Sequence, residues 1–176
     1  KTLEGTPVLP RHFDTMKEAK DWVDLYESHT DQVYGNTQFA YNYISDTYKG
    51  HIDWDLDRIL IVTIDIEVEC ENGFPAVKTA EEPMLSITVK NHQNKKIVVF
   101  GLHEFQNDRD DVTYIHCESE VHLLKEFLVF WEKHQPDVIT GWNTEFFDIP
   151  YLVNRITKLF GEDELKRLSP WGVVYS

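Results

Sequence analysis

The stretch ILIVTIDIEVE, Ile59 to Glu69, decides how the chain is read. Its first four residues are apolar without interruption, and then acids alternate with aliphatic residues. Side chains alternate across a strand, so Asp65 and Glu67 share one face while Ile64, Ile66 and Val68 share the other. An edge strand with one wet face gives the same alternation, and acids there need no function. Two features weigh against that bland reading. The run Ile59–Val62 predicts a first half covered on both faces. Asp and Glu are poor strand formers, and the carboxyl end of a strand is where α/β sheets place their ligands.

The stretch sits in a sequence of 176 residues, of which 41% are hydrophobic. That is enough for one ordinary domain, or one domain and part of another. No apolar run is long enough to cross a bilayer, and no signal peptide is evident. Cys70 and Cys117 are too few for a disulfide framework and are read as reduced thiols. The net charge of -14 argues against gripping nucleic acid by bulk charge. It does not argue against a site that gathers divalent cations on carboxylates.

Outward from the stretch, DTMKEAKDWVDLYES predicts a helix. Thr15 and Glu18 have capping-box spacing, and Met16, Ala19, Val23 and Tyr26 form its stripe. TQFAYNYISDTY alternates, which predicts a strand with Phe39, Tyr41 and Tyr43 on one face, for packing or for stacking on bases. The polar stretch Tyr48–Arg58 predicts a boundary, placed between residues 57 and 58. Strands are then expected near Arg58–Glu67, Met84–Lys90, Lys96–Leu102, Thr113–His116 and Asp137–Thr140. A helix from Ser119 to His134 separates the last two, and another runs from Asp148 to Gly161. The order β-β-β-β-α-β-α, opening with a hairpin-rich run, implies an α/β fold with a mixed sheet and flanking helices.

A second acidic element is TGWNTEFFDIPYLVNR, Thr140 to Arg155. Taken alone, Asp148 reads as a helix N-cap with Pro150 in the first turn, and Asn143 as a turn residue. Taken with Asp65 and Glu67, it offers a third carboxylate. Three carboxylates can hold Mg²⁺ or Mn²⁺, and two such ions about 3.5–4 Å apart support phosphodiester cleavage. The histidines form no HExxH or close Cys/His cluster, so zinc is not expected. A GxxxxGK phosphate loop and a Gly-x-Ser-x-Gly elbow are both missing.

The pair DIE, Asp65–Glu67, followed by NTEFFD, Asn143–Asp148, resembles the first two exonuclease motifs of family B DNA polymerases, those of T-even-like phages in particular. MKEAKDW, ISDTY, DIEVECENGFP, GWNTEFFDIPYLVNR and RLSPWG carry the resemblance over nearly the whole chain. It implies a ribonuclease-H-like 3′→5′ exonuclease domain over 58–176, preceded by the end of an amino-terminal domain over 1–57. It implies proofreading of a frayed primer 3′ end with two Mg²⁺ or Mn²⁺ ions. Asp65 would bridge both ions, Glu67 would hold one and orient the attacking water, and Asp148 would hold the other. Asn143 would be a nearby polar contact, and Phe74 would lie near the terminal base, stacking on it or packing at a hairpin tip. The implied partners are the single-stranded primer 3′ end, template DNA, the remaining polymerase domains and, for the intact protein, a sliding clamp. No membrane is implied, and the implied location is the cytoplasm of an infected bacterial host.

The family's third motif, Tyr-x-x-x-Asp, is not found, nor are polymerase motifs. The expectation is therefore weak or no nuclease activity for this stretch alone. Two rivals stand beside this reading. One is a non-catalytic module with the nuclease fold that docks DNA or a partner. The other is an aspartyl-phosphate enzyme using Lys90 and Thr140.

Overall fold

The computed structural model describes residues 1–26, 33–34, 38–71 and 73–173, the side chain of Phe39 excepted. Its contacts separate two units, Lys1–Trp54 and Asp55–Ser176.

The first unit holds helix α1, Met16–Tyr26. Thr15 Oγ1 accepts from the Glu18 N–H at 3.2 Å, as the capping spacing predicts. Of the expected stripe, Ala19 is buried and Met16, at the first helical position, is exposed. Helix α2 covers Phe39–Thr47, so the predicted strand there is corrected. Three aromatics at alternate positions also place Phe39 and Tyr43 four apart on one helical face, and so short a run cannot separate the two periods. Tyr41 and Tyr43 are exposed, which leaves the alternation with no core to face.

The second unit is built on a five-stranded mixed sheet. Its strands are β1, Ile61–Val68; β2, Met84–Asn91; β3, Ile97–Gly101; β4, Val112–His116; and β5, Val138–Thr140, in the order β4-β3-β2-β1-β5. β1–β2 and β2–β3 are antiparallel, whereas β3–β4 and β1–β5 are parallel. The hairpin-rich run therefore stops at β3. β1 starts later than expected because Asp55 caps a 3₁₀ turn at Leu56–Arg58, its side chain accepting from the Asp57 N–H at 3.0 Å.

Register puts Ile66 opposite Ile87, Ile64 opposite Val89 and Ile87 opposite Phe100, so these apolar residues share one face. That face is covered by helices α3, Glu120–Lys133, and α4, Asp148–Phe160. Leu123, Leu124, Phe127, Leu128 and Trp131 of α3, with Tyr151, Leu152 and Ile156 of α4, complete the core. Burying each such side chain is worth about 1.5–3 kcal/mol. Ser119 caps α3, its Oγ accepting from the His122 N–H at 3.2 Å, and Gly161 closes α4 with a φ of 91°.

Candidate active site

β5 pairs with β1 only at Ile61–Thr63. Beyond Thr63, that edge of β1 has no strand beside it, and its N–H and C=O groups need other partners. The segment after β5 comes up against that edge. Gly141 passes close to the Ile64 carbonyl, where a Cβ on Gly141 would stand 2.6 Å from that oxygen and would also strike Thr144 Oγ1. Gly141→Ala should therefore cost about 1–3 kcal/mol, read from the urea midpoint, because a backbone carbonyl in a sheet cannot step aside. The Thr144 hydroxyl is buried there without a hydrogen-bond partner.

Two residues on, the chain turns. Asn143 has a φ of 57°, which asparagine tolerates better than most residues, and its carbonyl accepts from the Phe146 and Phe147 N–H groups. Asn143 is exposed at this turn, consistent with its bland reading. The turn delivers Asp148 to the edge of β1. Asp148 Oδ1 accepts the Ile66 N–H at 3.0 Å across 82 positions of sequence. The N-cap reading of Asp148 is thereby corrected, since Phe147 occupies the cap position and no side chain caps α4. Loop carbonyls serve the helix start instead, Thr144 O accepting from Ile149 N–H and Phe147 O from Tyr151 N–H.

Ile66 lies between Asp65 and Glu67, so the Asp148 carboxylate is held on the backbone between the two acids of the opening stretch. Asp65 and Glu67 are exposed on the uncovered face, while Asp148 is only 4% exposed. Burial pushes the Asp148 carboxyl up from its ordinary pKa and the charge of Asp65 adds to this, while the N–H groups of Ile66 and of Asp148 itself pull it down. Phe74 is 82% exposed, and its ring centroid lies 5.0 Å from that of Phe147, the residue before Asp148.

The donors are all hard carboxylate oxygens, which suit Mg²⁺ or Mn²⁺. Among the described residues, no three His, Cys, Asp or Glu side chains close into a group able to hold an ion by themselves. Sequence reasoning missed Phe147, whose ring contacts both Phe74 and Tyr151 and which reads as ordinary helix packing. It also missed Thr144, since a threonine in a polar turn carries no signal of burial.

Residues 20–174 match the model of DNA polymerase family B, exonuclease domain. The chain belongs to that family. The exonuclease domain is identified over a stretch that begins inside the first unit. The chain is 34% identical to the DNA-directed DNA polymerase of Escherichia phage RB69 over 96% of its own length and 21% of the relative's. It is 31% identical to the DNA-directed DNA polymerase of Enterobacteria phage T4, over 100% of the chain and 22% of that protein. The DNA polymerase of Pyrococcus glycovorans matches 86% of the chain at 29% identity, over 17% of its own length. The chain thus spans about a fifth of the phage relatives it matches. Among the described residues, no helix of this exonuclease domain is long and apolar enough to cross a membrane.

Proposed function

We propose that the domain removes nucleotides from a frayed primer 3′ end by two-metal phosphodiester hydrolysis, as the proofreading part of a replicative polymerase. One observation carries this reading. Asp148, at a helix start 82 positions from Ile66, accepts the N–H of the residue that lies between Asp65 and Glu67. Family membership supplies the reaction class.

Asp65, Glu67 and Asp148 are the residues that would hold Mg²⁺ or Mn²⁺. When bound, the ions lower the pKa of the attacking water and stabilise the leaving oxygen. Asp65 and Glu67 present their carboxylates on the open face of the sheet, where a DNA strand has access. Asp148 contributes from the strand edge, and its hold on the Ile66 N–H fixes α4 against β1. Phe74 offers an exposed ring for the terminal base, since every base has a π-face to stack, and Asn143 would offer a polar contact from the turn that leads into Phe147. Residues 58–176 form the nuclease part and residues 1–57 the end of an amino-terminal domain. The partners are the primer 3′ end, template DNA and the other polymerase domains, with a sliding clamp for the whole protein. The setting is the cytoplasm of an infected bacterial host.

Thermal unfolding with Mn²⁺ or Mg²⁺ tests the carboxylate site directly. A ligand that binds only the folded state at a hundred-fold excess over its Kd adds about 2.7 kcal/mol. The native chain should show a rise of that order, Asp65→Ala should lose it, and Asp110→Ala, in the loop before β4, should keep it. No rise in the native chain, or an equal rise in Asp65→Ala, would falsify the reading.

A further inference from the structure

One face of α4 is committed to a single loop. Tyr151, Asn154, Arg155 and Lys158 recur at the spacing that lines one side of a helix. Tyr151 Oη donates to Glu82 O at 2.7 Å, and Asn154 Nδ2 donates to Val77 O at 2.9 Å. Arg155 Nη1 donates to Ala80 O at 2.9 Å and to Glu81 O at 2.7 Å, and Lys158 Nζ reaches Thr79 O at 3.4 Å. Five carbonyls between Val77 and Glu82 are thus met by four side chains of one helix. The loop's base is closed by Glu69 N–H to Pro83 O, and Ala80 sits fully buried at a φ of 44°. A side chain with a Cβ holds that backbone conformation only where its surroundings enforce it.

The same helix begins with Phe147 and Asp148. Phe147 meets the Phe74 ring at the loop's far end, and Asp148 is fixed to β1. One rigid element therefore sets the position of Phe74 relative to the carboxylates. We propose that Asn154 and Tyr151 are positioning residues, which hold the Phe74 loop at a fixed offset from Asp148 so that a terminal base stacked on Phe74 leaves its scissile phosphate at the acids. This inference rests on the proposed nuclease role of Phe74. Asn154 matters most because Val77 is the carbonyl nearest to Phe74 in sequence among the five, and no other side chain of α4 bonds to it.

The test uses the 176-residue chain in EDTA with a single-stranded oligonucleotide ending in 3′-terminal 2-aminopurine. The native chain should change the fluorescence of the terminal base, and Phe74→Ala should not. Asn154→Ala should fall toward the Phe74→Ala level, while amide hydrogen exchange at 73–79 quickens about five-fold and exchange in β1 stays as it was. Tyr151→Phe, which keeps the ring on Phe147 and removes only the hydroxyl, serves as the second variant if Asn154→Ala does not fold. Native fluorescence in both variants, with the native signal still dependent on Phe74, overturns the positioning role and leaves the proposed function standing. A native signal that Phe74→Ala does not alter removes Phe74 from the substrate, and this inference falls with it.

Discussion

Arg155→Met should lower the stability of the domain by about 3–5 kcal/mol, read as a shift of the urea midpoint at unchanged slope. The guanidinium donates to Glu120 Oε1 at 2.7 Å and Oε2 at 2.6 Å, besides its two bonds to the loop carbonyls. Glu120 Oε1 also accepts the Met84 N–H at 2.8 Å. The two side chains are 9% and 12% exposed, so both are largely withdrawn from water. Methionine fills much of the space but leaves a carboxylate buried without its cation and two carbonyls without donors. Arg155→Lys should recover little, because one ammonium cannot span a carboxylate fork and two carbonyls. Adding Glu120→Gln to Arg155→Met should recover part of the loss, since the glutamine oxygen still serves Met84 without a buried charge. A loss below about 1 kcal/mol, the range of exposed pairs, would show that the pair is solvated in the folded chain.

The Arg155 network also marks where the sequence stops being informative. Elements whose signal is a pattern of side chains were legible: the alternation of β1, the start of α3 at Ser119, and the Gly161 stop of α4. The pairing of Asp65 with Glu67 on one open face follows from the same alternation. What failed or stayed silent depends on partners that leave no trace in residue types. Asp148 looks like an N-cap because an aspartate before a helix usually is one, and only the early end of β5 turns it toward Ile66 instead. Arg155, Asn154 and Tyr151 look like the polar side of a helix, because their acceptors are backbone carbonyls that every residue carries. The parallel run of β4 beside β3 depends on a ten-residue connection, 102–111, that carries no helical period. Helix α2 was misread because positions 39, 41 and 43 fit the strand period while 39 and 43 also fit the helical one, and the exposed Tyr41 and Tyr43 do not decide between them.

Asp148→Asn should separate what the carboxylate does for the fold from what it does for metal. The asparagine oxygen can still accept the Ile66 N–H, so α4 keeps its tie to β1, but the negative charge is gone. The folded state raises the Asp148 pKa above the ordinary 3.8, burial being the main cause and Asp65 the next to raise it. A carboxyl so shifted contributes its stability below the ordinary value, and that stability is lost as pH rises through the raised value, because the unfolded chain releases its proton first. The native chain should therefore lose stability over that window, from this residue, and Asp148→Asn should not. The two should be alike near pH 3, and the variant should be the more stable at pH 7 in EDTA. With Mn²⁺ the order should reverse. A cation among the acids rewards the charge that burial penalises, and loss of a ligand should weaken Mn²⁺ binding by more than about 100-fold, the upper end for a group that only supports a ligand. Paired pH–stability curves with and without Mn²⁺ decide the matter. If the variant is less stable than the native chain at pH 7 in EDTA, the carboxylate is held chiefly for the fold. If Mn²⁺ raises both proteins equally, Asp148 is no part of a metal site.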